Sequence, residues 1–317
     1  MSLKFSDLSE RARERVNAGG DELRASVLDR LAAPAESHLS LPRLLVIFAH
    51  PDDEVLAAGG RLERFRESRL LCVTDGAPEN GADSRAHGFA TLQAYRDARR
   101  AELAAALRLG GLPEGCAEPL RLDRSGGTPA GVADQRAVFH LRALTTAVAR
   151  EIELYRPEAV LTHPCEGGHP DHDSCAFAVH IAVRLVRGTP PPTILEAPFY
   201  HAGANGMETG SFLGDGEASS VDLTLRRVCE LSPVERARKR ERLDCFVTQR
   251  ETLAQFGIER EQFRVAPLYD FCRPPHPGRL LYENFAWGAT GEQFRALAAS
   301  ALGEVGLGKT SLGSIRE

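Results

Sequence analysis

The chain has 317 residues, 43% hydrophobic and 26% charged, with a net charge of −5 and seven cysteines. That is the make-up of a soluble globular protein long enough to build a substantial core. It gives no reason to expect nucleic acid or an anionic membrane as the main partner. The odd, scattered cysteines contain no CxxC pair, which excludes a disulfide framework and a thiolate zinc site and favours a reducing compartment. No stretch approaches the roughly 18 apolar residues of a membrane span, and no apolar run near Met1 has the form of a signal peptide. The expectation is a cytoplasmic protein.

Residues 7–33 are charged and helix-prone, broken at Gly19-Gly20 and closed by Pro34, which predicts an N-terminal helical extension over 1–40. From Arg43 a βα rhythm begins. Leu44 to Ala49 is an unbroken apolar run of the kind found in buried parallel strands. A helix over about 54–66, a strand at 70–74 and a long polar loop to about 90 follow. A helix at 91–109, a short strand near 119–122 and a Gly-rich loop at 125–131 come next. Helical spacing of Val138, Leu141, Leu144 and Val148 predicts a helix over 134–155. A strand at 159–162, a helix at about 171–187 and a strand at 194–200 complete a core over 41–200. The alternation predicts an α/β fold with a mostly parallel sheet covered on both faces. After Tyr200 the rhythm changes. An edge strand at 221–225, a charged helix at 233–256 and a last helix near 291–302 predict an α+β C-terminal part, 201–317, packed on the same domain.

Two loops carry the chemistry. His50-Pro51-Asp52-Asp53-Glu54 follows the first strand, and His163-Pro164-Cys165-Glu166-Gly167-Gly168-His169-Pro170-Asp171-His172 follows the strand at 159–162. Open α/β sheets place their ligands at the carboxyl ends of strands, so the two loops can converge on one crevice. His50, Asp53 and one histidine of the second loop make a His₂-carboxylate set suited to a catalytic zinc with one open position. Such an ion brings the pKa of water toward ~7. Asp52 is then free to accept a proton as general base. The spare histidine would stabilise an oxyanion or protonate a leaving amine. Asp171, between two histidines, would orient an imidazole.

These motifs, Ala49-His50-Pro51-Asp52-Asp53-Glu54 with His169-Pro170-Asp171-His172, resemble the PIG-L/LmbE-like family of zinc-dependent N-deacetylases over roughly residues 43–200. The resemblance implies a Rossmann-like sheet and one Zn²⁺ per chain held by His50, Asp53 and His172. It implies Asp52 as general base and His169 as the group that stabilises the tetrahedral intermediate. Arg99-Arg100-Ala101-Glu102 fits the family's Arg-x-x-Glu and makes Arg99 a substrate contact, while Asp123 is matched to a substrate-binding aspartate. Gly167 stands where some members carry a tyrosine. The implied activity is removal of acetate from an N-acetylglucosamine-type sugar or glycoconjugate, a small-molecule partner, with homo-oligomerisation left open. The alternatives are an amidase on a non-sugar N-acyl or thiol conjugate, a metal phosphoesterase, and a non-catalytic binding module.

Other residues read more plainly. Glu54 reads as a cap, Gly59 and Gly60 as close-packing positions, and Cys165 and Cys175 as packing. His163 is balanced between structure and site, and His276 reads as a loop histidine. Gly303 to Thr310 spells a P-loop, but a helix precedes it and seven residues follow, so it reads as a tail.

Overall fold

The computed structural model describes residues 22, 24–122, 132–187, 190–214 and 223–305. A helix, α1, covers 24–32 and sinks Val27, Leu28 and Leu31 into the core. Strand β1 (Leu44–Phe48) is buried at all five positions, as its unbroken apolar run requires. Helix α2 (Asp53–Ala58) is shorter than expected. It stops at Gly59-Gly60, and Leu62–Glu67 continues as a 3₁₀ turn. The glycines do allow close packing, since a Cβ on Gly60 would lie 2.7 Å from Leu231 Cδ1.

Strands β2 (Arg69–Cys72) and β3 (Thr74–Pro78) follow, so the expected long loop opens on a strand and then holds a short helix, α3 (Ala82–Ala86). Helix α4 (Leu92–Leu109) is capped by Thr91, whose side chain accepts the Ala94 N–H. Strand β4 (Ala117–Pro119) sits slightly earlier than expected. Strand β5 (Val132–Asp134) replaces the expected start of a helix, and α5 (Leu141–Tyr155) follows it. Strand β6 (Ala159–Thr162) and helix α6 (Pro170–Leu185) lie close to their expected places.

The expected strand at 194–200 divides into β7 (Thr193–Glu196) and β8 (Tyr200–Gly203), the latter in a hairpin with β9 (Gly206–Thr209). The edge strand is β10 (Arg226–Glu230), a few residues later than expected. The long charged helix ends early, as α7 (Pro233–Leu243), with a short α8 (Arg250–Leu253) after it. Strand β11 (Arg260–Val265) and helix α9 (Gly291–Glu304) complete the chain.

The main sheet has the order β10-β11-β7-β6-β1-β2-β4. The pairs from β7 to β4 are parallel, and β11 and β10 are added antiparallel at one edge. Leu44, Val46 and Phe48 face a cluster with α1, α2 and α4, whereas Leu45 and Ile47 face α5 and α6. Both faces are therefore covered. The chain builds outward from β1 to β2 and β4, then returns to place β6 on the other side of β1. That reversal opens a crevice between β1 and β6 at their carboxyl ends.

Candidate active site

Both motif loops emerge into this crevice. Asp52 takes the N-cap position of α2 without a side-chain capping bond, which leaves its carboxylate available. The His50 N–H instead donates to Asp53 Oδ2 at 2.7 Å, folding the loop into a tight turn. On the opposite wall His169 caps α6, its Nδ1 accepting the Asp171 N–H at 3.1 Å. Pro170 opens that helix, where a missing N–H costs nothing. Gly168 is required by contact, because a Cβ there would meet the Tyr200 carbonyl oxygen at 1.8 Å.

The turn and the cap bring three donors together. His50 Nδ1 lies 3.2 Å from His172 Nε2 and 3.5 Å from Asp53 Oδ2, and His172 Nε2 lies 3.7 Å from Asp53 Oδ1. Tetrahedral zinc with bonds of about 2.0–2.1 Å has donor–donor edges near 3.3 Å, so the spacing fits. Asp53 meets the two imidazoles through different oxygens, and two imidazole nitrogens and a carboxylate this close, all buried, have the chemistry of a cation site.

Burial and the neighbouring charges set the protonation of these groups. Burial disfavours a charged His50, but Asp134, Asp171 and Asp53 outweigh it and hold its pKa well above the ordinary value. Burial would raise Asp53, yet His163 and His172 beside it take its carboxyl well below the usual range. His172 is lowered strongly by burial and by His163, and so presents a neutral nitrogen. His163 is closer to the centre than sequence alone decided. Its Nε2 accepts the Ala49 N–H at 2.9 Å and lies 3.3 Å from Asp53 Oδ2, with its ring stacked on His172 at 3.9 Å.

Asp52 is held from behind. Arg99 Nη2 donates to Asp52 Oδ2 at 3.0 Å, and Arg99 is 2% exposed. Burial raises the Asp52 pKa and the guanidinium restrains the rise. Glu102 accepts the Thr248 N–H and hydroxyl, so the Arg-x-x-Glu pair links the site to the C-terminal part. His169 has a pKa lowered to about 4, chiefly by burial. With Nδ1 accepting at the cap, the neutral ring carries its proton on Nε2, which lies 3.6 Å from Asp134 Oδ1.

Asp171 stands 3.4 Å from His50 Nε2 and 3.9 Å from His169 Nδ1. It also accepts the N–H groups of Gln135 at 2.6 Å and Ala137 at 2.9 Å. Gln135 has φ of 69°, an uncommon conformation for a residue with a side chain, so Asp171 pins a strained turn. That turn presents Asp134, whose Oδ1 lies 3.1 Å from His50 Nε2. Asp134 is the residue that sequence reasoning missed. It ends a three-residue strand and falls on the first residue of a stretch read as helix. Asp123 and the Gly-rich loop 125–131 lie outside the described residues.

Glu54 does not cap its helix. It is buried, accepts from Cys72 Sγ at 3.2 Å and has a pKa pushed up to about 8 by burial. His276 bonds the Pro277 carbonyl and does not line the crevice. Gly303 and Glu304 belong to α9, and the rest of the P-loop-like letters, from Gly306, lies outside the described residues. Above the centre a cavity of about 390 Å³ is lined by His50, Asp52, Asp134 and His169 and by residues far along the chain, including Tyr200, Gln249, Phe285 and Trp287.

Residues 45–183 match the sequence profile of PIG-L, GlcNAc-PI de-N-acetylase. The 1D-myo-inositol 2-acetamido-2-deoxy-alpha-D-glucopyranoside deacetylase of Rhodococcus jostii is 30% identical over 262 residues, 70% of this chain and 86% of the relative. The chain belongs to the PIG-L family. The enzyme of the same name from Rhodococcus erythropolis is 36% identical over 151 residues, 42% of this chain and 50% of the relative. With several PIG-L relatives, that one included, the match thus spans about half of the relative's length. The crystal structure of the A40926 pseudoaglycone deacetylase aligns at 20% identity and a TM-score of 0.49, over 71% of this chain and 96% of that one. The PIG-L match holds both histidine loops and ends before Tyr200, Phe285 and Trp287.

Proposed function

We propose that this protein is a zinc-dependent N-deacetylase that releases acetate from an N-acetylglucosamine-type glycoside and leaves a free amine. The carrying observation is the His50, Asp53 and His172 donor set with Asp52 and His169 flanking it. The proposal is supported by the relatives, which are themselves named deacetylases of an acetamido sugar.

His50 Nδ1, Asp53 and His172 Nε2 would hold one zinc ion, which when bound lowers the pKa of water and polarises the acetamide carbonyl. Asp52 takes the proton of the attacking water, whose oxygen adds to the carbonyl carbon. The His169 Nε2–H donates to the carbonyl oxygen as negative charge gathers there. The C–N bond then breaks, and the proton held by Asp52 passes to the amine nitrogen. Arg99 keeps Asp52 aimed at the crevice, and Asp134 and Asp171 fix the His50 ring from its Nε2 side.

The test is acetate release from N-acetylglucosamine glycosides, with the zinc content of the same samples measured in parallel. Wild-type protein is expected to bind one zinc per chain and lose activity on chelation. Asp52→Asn is expected to keep the zinc and lose about 10²–10⁴-fold in kcat. A variant within a few-fold of wild type would remove Asp52 from the reaction. No acetate from any N-acetylated sugar would overturn the proposal.

A further inference from the structure

Beyond the acetamide centre, the cavity has an aromatic wall that neither histidine loop accounts for. Three ring contacts lead outward in sequence. His50 and His169 meet edge to face at 4.6 Å, His169 and Trp287 lie tilted by 46° at 4.5 Å, and Trp287 and Phe285 stack at 4.4 Å with 16° between their planes. The ladder begins at a residue of the donor set and ends at Phe285, which is 46% exposed.

The segment bearing these rings is firmly seated. Leu281 donates its N–H to the Gly167 carbonyl at 2.9 Å, Tyr282 is fully buried, and Ala289 is buried on the far side. Phe285 and Trp287 are thus suspended over the cavity between two anchors. Single exposed apolar residues need no explanation, but two stacked aromatics walling a cavity continuous with a buried centre do. The same cavity is also lined by Gln249, Thr252 and Gln255, so it combines a flat apolar surface with amide and hydroxyl groups suited to a hydroxylated ligand.

We propose that Phe285 and Trp287 form an aglycone subsite, selecting substrates in which the acetamido sugar is joined to a second ring with a flat apolar face. The proposal rests on the deacetylase reading above and adds the substrate class. An acetamide placed between Asp52 and His169 puts its sugar in the polar part of the cavity. The next group outward then meets the half-open Trp287–Phe285 stack. A ring there covers aromatic surface that an alkyl group of one carbon leaves wet.

Trp287 is the sole tryptophan of the chain, so its fluorescence reports on this wall directly. The experiment titrates zinc-loaded Asp52→Asn protein with phenyl, methyl and second-sugar (N,N'-diacetylchitobiose) derivatives of N-acetylglucosamine. Acetate release by the wild type is measured on the same three compounds. The ring-bearing ligands are expected to change the Trp287 emission and to bind about 3–10-fold tighter than the methyl glycoside, with a matching preference in kcat/KM. Whether the phenyl or the sugar ring gains more identifies which kind of ring the wall accepts.

Phe285→Ala should bring the ring-to-methyl affinity ratio toward one, and Phe285→Tyr should restore it. Equal binding of all three ligands by the parent protein, or an equal loss for all three in Phe285→Ala, overturns the subsite. Selective binding without acetate release from any compound sinks the deacetylase reading and leaves the subsite standing. Acetate release without ring preference does the reverse.

Discussion

Asp52 sits between two opposing pulls. Burial raises its pKa, and the Arg99 guanidinium at 3.0 Å lowers it. Arg99 is itself buried, so little water screens the pair. Replacing Arg99 with methionine keeps the bulk and removes the restraint. The Asp52 carboxyl then stays protonated to higher pH, and a protonated carboxyl cannot accept a proton from water. The acid limb of the kcat/KM profile should therefore move to higher pH. If Arg99 acted only as a substrate contact, KM would rise and the limb would stay in place. The pH profile of Arg99→Met separates the two roles.

At the scale of elements, the site depends on how closely the start of α6 approaches β8. Gly168 touches the Tyr200 carbonyl so tightly that an added methyl group cannot be accommodated by a side-chain shift. Gly168→Ala must push the loop carrying His169 and His172 away from the strand. Overpacking of this kind costs about 1–3 kcal/mol. For a chain of 317 residues that lowers the unfolding midpoint by about 1.5–4.5 °C. Zinc affinity should fall with it, because His172 rides on the same helix. A midpoint and zinc content equal to wild type would show that the loop can yield without harm.

The elements also show what the sequence could reveal. Strands β1 and β6 are buried on both faces, so each is a continuous apolar run, and the two loops after them hold the motif residues. Strand β11 was illegible for the opposite reason. It buries Glu261 and Arg264, which are tolerable only because Lys239 meets Glu261 at 3.1 Å and Glu196 meets Arg264 at 2.9 Å. Those partners lie 22 and 68 residues away, beyond any local pattern. Asp134 escaped notice likewise, since its approach to His50 depends on a turn pinned by Asp171 from another helix. Phe285 and Trp287 are ordinary aromatics until the fold sets them on the cavity wall.

At the scale of the whole molecule, several buried groups titrate together and set how stability changes with pH. Burial pushes Glu54 and Glu166 up to about 8 and Asp173 up to about 7. Each is protonated in the fold at a pH where the unfolded chain has released that proton, so each stabilises less as pH rises. His50, raised by its carboxylate neighbours, acts in the same direction above its ordinary value of 6.5. His163, His169 and His172 are lowered, chiefly by burial, and act oppositely, but only below that same value. Between pH 4 and 6.5 the two sets oppose each other. Between about 6.5 and 8 the raised groups act alone, so the chelated protein should lose stability steadily across that window. Glu166→Gln keeps an acceptor for the Leu213 N–H and removes one titrating group, and should flatten the slope. Zinc binding needs an unprotonated His50, so the stabilisation from zinc should grow over the same range. Thermal midpoints at pH 6.5 and 8.5, with zinc and with chelator, should therefore diverge as pH rises, and midpoints that converge would contradict this assignment of charge.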